Sequence, residues 1–241
     1  MKRYIIISGE TSGDIYGSSL MKQMKKTHHG DIAFWGIGGD KMYNEGLYPL
    51  GHSDNISVVG FTEIIKKIPS INNLLNNIAR CTNEIQPDGV ILIDFPGFNI
   101  RLAKRLKKKY KIPFPIIYFI SPQIWAWHES RIKLIKKYID KMLVIFPFEE
   151  SFYKQYNVDA TYVGHPFLDE WSPANTNQQK NQLGFNPKKK LISIFPGSRL
   201  MEIKQHLPVY IKSIEKIKNE NENCEFALGL APGFDKKEIE K

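Results

Sequence analysis

The sequence has few cysteines, no long apolar run and none of the short motifs that mark the commonest metal and cofactor sites. Its 241 residues include two cysteines, Cys81 and Cys224, without a CxxC partner. A disulfide scaffold and a cysteine zinc site are therefore excluded, and a reducing compartment is favoured. No stretch approaches the roughly 18 apolar residues of a membrane-spanning helix. GxGxxG, HExxH and GxSxG are absent, which disfavours a nicotinamide-dependent oxidoreductase, a zinc hydrolase and a common serine hydrolase.

The charge is unbalanced towards the basic side. There are 34 Lys and Arg against 25 Asp and Glu, a formal net charge of +9, which favours an anionic partner. The lysines are spread over predicted helix faces and turns, so solvated surface and attraction to anionic lipid are both open. We expect no nucleic acid, because RNA-binding aromatic signatures and zinc-finger spacings are missing. The apolar run 4–7 is too short for an export signal, so we expect a cytoplasmic, soluble protein.

Short apolar runs alternate with helical patterns over the first two thirds of the chain. The runs are apolar on both faces, as strands of a parallel sheet covered by helices must be. This alternation indicates a doubly wound α/β sheet, in which ligands bind beyond the carboxyl ends of the strands. The predicted strands are 4–7, 33–35, 89–93, 116–119, 142–145 and 161–163, and the predicted helices are 15–26, 71–86, 99–110, 129–138 and 148–155.

A polar, proline-containing stretch separates this pattern from a second start of the same kind. We predict an N-terminal domain over 1–168, a linker over 169–190 with a short helix before Gly184, and a second Rossmann-like domain over 191–241. In the second domain we expect a strand at 191–195, a helix at 201–218, a strand at 225–230 and then a helix start. Only 51 residues follow position 190, fewer than the about 100 of a complete α/β domain, so we expect a truncated domain.

The segment 8–14 follows the first predicted strand and opens a helix. Its glycines let the backbone approach a ligand, and the helix N-terminus offers free N–H groups. However, Glu10 places a carboxylate where a pyrophosphate would be repelled. Two interpretations stay open: a plain strand–helix turn with Ser12 or Asp14 as the N-cap, or a ligand site in which Glu10 and Ser12 face the crevice.

A second acidic residue, Asp94, follows the apolar strand 89–93 and precedes a Pro-Gly turn. Burying a carboxylate without a partner is costly, so this residue is either bonded to nearby N–H groups or a working group. As a general base, Asp94 would take a proton from a substrate hydroxyl, with its pKa raised by partial desolvation.

Two apolar stretches have a structural and a functional interpretation each. Trp125 and Trp127 lie in a loop after a strand, where they would suit stacking on sugar or base faces, or would cover the sheet edge. Apolar residues at 61, 64, 65 and 68, beside two lysines, form an amphipathic helix. That helix either packs in the core or lies on a membrane surface.

The turn 196–199 follows the first strand of the second domain. Its Gly-Ser backbone and Arg199 would hold a phosphate through N–H groups and the guanidinium. No lysine follows as in a P-loop, and an ordinary turn with an exposed arginine is equally open.

Eight motifs occur in order along the chain: GETSGD (9–14), GIGG (36–39), VGFTE (59–63), DFPGFN (94–99), SPQIWAW (121–127), FPFE (146–149), GHP (164–166) and PGSR (196–199). Together they resemble the lipid-A-disaccharide synthase family from Tyr4 to about Leu230. The SPQIWAW and GETSGD strings are specific to that family.

The resemblance implies a GT-B-like α/β fold, with two Rossmann-like domains, and an inverting glycosyltransferase that needs no metal ion or other cofactor. The reaction would join UDP-2,3-diacylglucosamine to 2,3-diacylglucosamine 1-phosphate (lipid X), form a β-1,6-linked disaccharide and release UDP. It also implies a peripheral protein on the cytoplasmic face of the inner membrane, with the anionic membrane surface as a partner. A homodimer is left open.

The resemblance further implies roles for individual residues. Asp94 would deprotonate the acceptor 6-hydroxyl, and Arg199 with Gly197 and Ser198 would neutralise charge on the leaving UDP. The family carries a later Ser-Gly-Thr-type segment in its nucleotide-sugar site, which this sequence does not reach, so we expect an incomplete site. The acceptor side would be lined by Glu10, Ser12, Gly13, Asn99 and Trp125, and the bilayer would be faced by Phe61, Ile64, Ile65 and Ile68.

Two other classes of function remain as alternatives. One is a non-catalytic nucleotide- or sugar-binding α/β module, which the short second domain favours. The other is a nucleotide-sugar epimerase of related fold. The reaction products distinguish them, because a disaccharide indicates transfer, a free epimer indicates epimerisation, and binding without product indicates a module.

Overall fold

The computed structural model describes residues 1–52, 61–126, 129–173, 175–198 and 200–231. The chain divides into two units, Met1–Trp171 and Ser172–Lys241. Within the described ranges, each unit has its own parallel sheet, of seven strands in the first and two in the second. The predicted bounds of the domains and of the linker stay a prediction.

The first unit is built on a single parallel sheet. Its strands are nearly continuous apolar runs, such as KRYIIIS and GVILI, because helices cover both faces. The strands are β1 (Lys2–Ser8), β2 (Ile32–Gly38), β3 (Leu47–His52), β4 (Gly89–Ile93), β5 (Ile116–Phe119), β6 (Lys141–Val144) and β7 (Ala160–Tyr162). Their order in the sheet is β3-β2-β1-β4-β5-β6-β7, and all neighbours run parallel.

Helices divide between the two faces of this sheet. They are α1 (Thr11–Thr27), α2 (Asp40–Asn44), α3 (Phe61–Ile85), α4 (Pro96–Arg105) with a π-helical turn at Leu106–Tyr110, α5 (Ile132–Tyr138) after a 3-10 turn at Glu129–Arg131, α6 (Pro147–Gln155) and α7 (Phe167–Glu170). Met21 of α1 and Met42 of α2 pack on one face. Ile78 of α3, Leu102 of α4 and Tyr153 of α6 pack on the other. The predicted doubly wound α/β class is confirmed.

Three elements of the first unit were not predicted from the sequence: β3, α2 and α7. Strand β3 contains Pro49 and Gly51, which are typical of turns. It can still form because it is an edge strand with a neighbour on one side only, so the N–H that proline lacks is not needed for a second ladder of hydrogen bonds. The predicted helix 71–86 and the amphipathic segment before it form one helix, α3, which continues through Pro69.

The second unit repeats the strand–helix–strand order on a smaller scale. Its elements are α8 (Thr176–Gln182), β8 (Lys190–Ile194), α9 (Leu200–Glu220) and β9 (Cys224–Leu228). Asn175 caps α8, since its Oδ1 accepts the N–H groups of Asn177 at 3.1 Å and Gln178 at 3.2 Å. The helix start predicted after residue 230 falls on 232–241, outside the described residues.

A buried carboxylate ties the two helices of one face together. Asp14, on α1, accepts the backbone N–H groups of Gly39 at 2.8 Å, Met42 at 3.0 Å and Lys41 at 3.1 Å. These groups begin α2, where helical N–H groups have no partner of their own. Asp14 therefore caps α2 from a neighbouring helix.

The predicted N-cap of α1 is wrong. The helix begins at Thr11 with Glu10 in the N-cap position, so Ser12 and Asp14 both lie inside the first turn. Glu10 has extended backbone angles and makes no side-chain cap bond. The local pattern suggested Asp14 as a cap of its own helix, but its carboxylate accepts the N–H groups at the start of α2 instead.

We expect Asp14→Ala to lower the free energy of unfolding by about 2–4 kcal/mol, because three N–H groups lose a charged acceptor. Urea denaturation measures the change. Ser12→Ala alters an exposed residue of the same turn and should stay within about 0.5 kcal/mol of wild type. Equal losses in the two variants would contradict the capping role.

Candidate active site

The sheet order brings two acidic turns together at the centre of the first unit. β1 pairs directly with β4, and Ser8 lies opposite Ile93 at their carboxyl ends. The helices that follow these strands, α1 and α4, pack on opposite faces, which makes this edge the switch point where doubly wound sheets bind their ligands. Glu10 follows β1 and Asp94 follows β4, so the fold brings both predicted site residues to the same edge.

Asp94 sits in an uncommon backbone conformation. Its φ is +43° and that of Phe95 is +46°, so two successive non-glycine residues are left-handed. Such residues cost on the order of 1–3 kcal/mol each and persist only where surrounding contacts hold them. The half-buried Asp94 side chain is thus presented by a strained turn.

Several hydrogen bonds hold the backbone of this turn. The Asp94 N–H donates to Phe119 O at 3.1 Å. Its carbonyl oxygen accepts the Asn99 Nδ2 at 2.7 Å and the Tyr118 hydroxyl. The Phe95 carbonyl accepts the Asn99 N–H at 3.1 Å, which begins α4. Every backbone polar group of Asp94 is therefore satisfied within the protein.

The environment of the Asp94 carboxyl favours its protonated form. Burial raises its pKa to about 6, the negative charge of Glu10 contributes, and a hydrogen bond from the Phe95 N–H opposes the rise. Within the described residues no lysine or arginine pairs with it. A carboxyl with this pKa is a stronger base than an ordinary one and is still largely ionised at neutral pH.

Glycines allow the two turns to close against each other. A Cβ at Gly9 would lie 2.4 Å from a ring carbon of Phe95, and one at Gly13 would lie 2.3 Å from Ser8 Oγ. Gly13 is buried, so it allows close packing against Ser8 and does not itself form part of an exposed surface. Ser12 is exposed and Glu10 half-buried, as an acceptor-side surface would require.

The structure places Asn99 inside the fold, and its expected place on the acceptor side stays a prediction. The residue is fully buried, and its Nδ2 donates to the carbonyls of Ile93 at 3.1 Å and Asp94 at 2.7 Å. Its side chain supports the Asp94 turn from inside. Its expected acceptor-side role came from the family resemblance, because the local sequence does not show which residues α4 turns inward.

A buried carboxylate that the sequence analysis did not single out holds the Trp125 loop. Glu149 is 1% exposed, and its Oε1 accepts the Ser121 hydroxyl at 2.6 Å and the Trp125 Nε1–H at 3.3 Å. Its Oε2 accepts the Phe146 N–H at 3.1 Å. The signal was present in FPFE, since a glutamate at the third position of a helix commonly caps it.

Trp125 keeps part of its ring accessible. Its side chain is 41% exposed and packs edge-to-face on Phe148 with 5.0 Å between ring centroids. The indole is therefore fixed by Glu149 and Phe148 while one part faces outward, which fits stacking on a sugar as well as cover of the sheet edge. Trp127 lies outside the described residues.

The predicted membrane-facing side chains lie outside the described residues. The structure places their backbone in α3 but describes no side chain of Phe61, Ile64, Ile65 or Ile68. Among the described residues, no helix has the length and hydropathy to cross a bilayer.

The predicted phosphate turn in the second unit already has an anionic partner. Gly197 has φ +131°, and the Ser198 N–H donates to Glu202 Oε2 at 2.9 Å. Arg199 lies outside the described residues. A helix N-terminus attracts negative charge, and the glutamate of α9 satisfies that tendency, so a phosphate at this turn would compete with Glu202.

The like charge of Glu10 predicts a measurable effect on Asp94. We expect Glu10→Gln to lower the pKa of Asp94 from about 6 while leaving it above its ordinary value, because burial persists. Carboxyl carbon NMR shifts during a pH titration measure this.

Glu84→Gln is the matched control. Glu84 is 58% exposed and paired with Arg80 at 3.0 Å. It lies at the end of α3, just before β4 begins, so it belongs to the edge of the sheet opposite Asp94. The Glu84→Gln variant should therefore leave the Asp94 titration unchanged. An unchanged titration in Glu10→Gln would instead show that burial alone sets the pKa.

Comparisons with known proteins identify the relatives of this chain. A family model described as lipid-A-disaccharide synthetase matches residues 4–241. The lipid-A-disaccharide synthase of Anaeromyxobacter dehalogenans (strain 2CP-C) is 36% identical over 236 residues, which cover 98% of this chain and 61% of that relative. The chain therefore spans about three fifths of the relative's length.

Solved structures share the fold at low identity. The UDP-GlcNAc 2-epimerase of Neisseria meningitidis bound to UDP-GlcNAc superposes with a TM-score of 0.60 at 12% identity, over 97% of this chain and 67% of that one. The calicheamicin glycosyltransferase CalG4 gives 0.55 at 10%, over 99% and 67%. These likenesses show a GT-B-like α/β fold alone. The family match covers nearly the whole sequence, and on that ground the chain belongs to the lipid-A-disaccharide synthase family.

Proposed function

We propose that this chain carries the acceptor side and catalytic base of a glycosyltransferase of lipid A synthesis. The enzyme joins UDP-2,3-diacylglucosamine to 2,3-diacylglucosamine 1-phosphate (lipid X) and releases lipid A disaccharide 1-phosphate and UDP. Family membership supports the reaction class. The observation that carries the proposal is the half-buried Asp94 carboxyl, held at the β1–β4 switch point with a pKa of about 6.

Asp94 acts as the general base of this transfer. Its carboxylate accepts the proton of the acceptor 6-hydroxyl while that oxygen attacks the anomeric carbon of the donor. The bond from the anomeric carbon to UDP breaks on the opposite side, which inverts the configuration. Because the pKa lies near 6, Asp94 is ionised at neutral pH and still basic enough to share the proton in the transition state.

Residues of the β1–α1 turn and the Trp125 loop bind the acceptor. The Glu10 carboxylate and the exposed Ser12 hydroxyl offer hydrogen bonds to sugar hydroxyls, and the outward part of Trp125 offers a flat apolar face. Gly13 acts by letting the turn close on Ser8, where a Cβ would not fit.

We assign the leaving diphosphate to the second unit. Gly197, Ser198 and Arg199 supply backbone N–H groups and a guanidinium, which stabilise negative charge that grows on the leaving group. The diphosphate takes the place of the Glu202 carboxylate on the Ser198 N–H. The helix N-terminus of α9 favours an anion there in either case.

We also propose that the protein acts as a peripheral protein on the cytoplasmic face of the inner membrane. The net charge of +9 favours an anionic surface. The pattern Phe61, Ile64, Ile65 and Ile68, beside two lysines, suits a helix that lies in the interface with its apolar side towards acyl chains. Lipid substrates would then enter directly from the bilayer.

We expect Asp94→Asn to lower kcat for disaccharide formation by on the order of 10²–10⁴-fold, with an unchanged circular dichroism spectrum. In the wild type, kcat should rise as pH increases through about 6, because the base must lose its proton. Product formation by the native gene product, followed by mass spectrometry, measures both.

Asp31→Asn serves as the matched control. Asp31 is 72% exposed and pairs with the N-terminal ammonium at 3.0 Å, at the amino edge of the sheet, so its variant should retain wild-type kcat. Full activity of Asp94→Asn would refute the assigned base. A free epimer without disaccharide would refute the reaction itself.

For the membrane proposal, we expect Ile64→Glu combined with Ile68→Glu to reduce binding to phosphatidylglycerol vesicles on the order of tenfold or more, because apolar contact is lost. Vesicle sedimentation measures the bound fraction. The control combines Leu134→Glu and Leu183→Glu, which change the same charge at leucines that are 36% and 70% exposed. Similar losses in the two pairs would indicate a charge effect only and contradict the proposed helix face.

A further inference from the structure

A buried tyrosine on the neighbouring strand reaches the Asp94 turn. Tyr118 lies on β5, opposite Leu92 of β4, and is fully buried. Its hydroxyl donates to the Asp94 carbonyl oxygen, beyond the last residue of β4. The bond therefore crosses from one strand to the turn that follows the next.

This hydrogen bond is made to the strained Asp94–Phe95 turn. Asp94 and Phe95 are left-handed in succession, and L-residues rarely adopt that conformation without support. Two side-chain donors, the Tyr118 hydroxyl and the Asn99 Nδ2, meet on the same Asp94 carbonyl oxygen. Removing either donor would leave the two residues in the same strained conformation with one fewer hydrogen bond to stabilise it.

Tyr118 remains a donor over the working range of pH. Burial raises the pKa of its phenol well above the ordinary value, the charge of Asp94 and the neighbouring Tyr153 add to this, and Arg131 opposes it. From the β1 side, Glu10 is the charged group that acts on the Asp94 carboxyl. The hydroxyl thus stays protonated while the carboxyl titrates.

We propose that Tyr118 is a positioning residue for the catalytic base: its hydroxyl, together with the Asn99 amide, fixes the left-handed Asp94–Phe95 turn and so places the Asp94 carboxylate. The phenol bonds to the backbone and not to the carboxylate. It therefore takes no part in proton transfer and acts only through geometry. The inference rests on the proposed function in so far as Asp94 is the base.

Tyr118→Phe tests this, because it removes one oxygen and leaves the ring. We expect kcat for disaccharide formation to fall on the order of tenfold or more, with KM for the acceptor within about twofold, since misplacement of a base affects the chemical step. We also expect the pKa of Asp94, followed by carboxyl carbon NMR and by the pH–rate profile, to move down towards its ordinary value as the turn relaxes into solvent.

Tyr153→Phe is the matched control. Tyr153 is also fully buried, and its hydroxyl likewise donates to a backbone carbonyl, that of Pro122 at 3.4 Å. The same atom is lost at the same burial, but from another segment. This variant should leave the Asp94 titration at its wild-type position, whatever its effect on stability.

The outcomes separate the positioning role from the proposed function. An unchanged Asp94 titration in Tyr118→Phe, or an equal shift in both tyrosine variants, overturns the positioning role. If Tyr118→Phe does not fold, Asn99→Ala removes the other donor to the same carbonyl, and the same downward shift is expected. The NMR arm needs no turnover, so it decides on Tyr118 even if Asp94→Asn shows that Asp94 is not the base.

Discussion

The direct pairing of β1 with β4 is the constraint on which the candidate site depends. These strands are distant in sequence, yet Ser8 lies opposite Ile93, so the turns that follow them meet at one edge. Gly9 then packs against the Phe95 ring, where a Cβ would come within 2.4 Å. The closeness of Glu10 and Asp94, and the effect of one charge on the other, both follow from this contact.

Three buried or half-buried acidic residues of the first unit show how surroundings separate structural from reactive carboxylates. Asp14 accepts three backbone N–H groups and fixes α2. Glu149 accepts the Ser121 hydroxyl, the Trp125 indole and the Phe146 N–H, and fixes a loop. The Asp94 carboxyl accepts the Phe95 N–H, while its backbone carbonyl takes up the Asn99 and Tyr118 donors. A carboxylate whose main chain is held and whose acceptor atoms are less occupied is suited to receive a proton.

The sequence predicted the central strands because their residues are apolar on both faces, and it predicted Asp94 because a charge at the end of such a strand needs an explanation. It did not predict β3, because Pro49 and Gly51 are typical of turns, and Pro49 is tolerated here since β3 is an edge strand. Its suggestion of Asp14 as an N-cap of α1 is wrong, and it gave no sign that Asn99 is buried. Each of these side chains bonds to backbone that local patterns cannot locate: Asp14 to the start of α2, 25 or more residues away, and Asn99 to the inside of the turn before its own helix.

By itself, the order of apolar runs, turns and motifs determined the α/β class, the family and the acidic residue at the end of β4, because these depend on local composition and spacing. Only the tertiary structure decided which side chains surround that residue. The Tyr118 hydroxyl reaches the Asp94 carbonyl because β5 lies beside β4 in the sheet, and Glu10 acts on the carboxyl because β1 lies on the other side. Strand order is set by packing between segments that are far apart in sequence. The raised pKa of Asp94 and the strain of its turn therefore cannot be predicted from the residues around Asp94 alone.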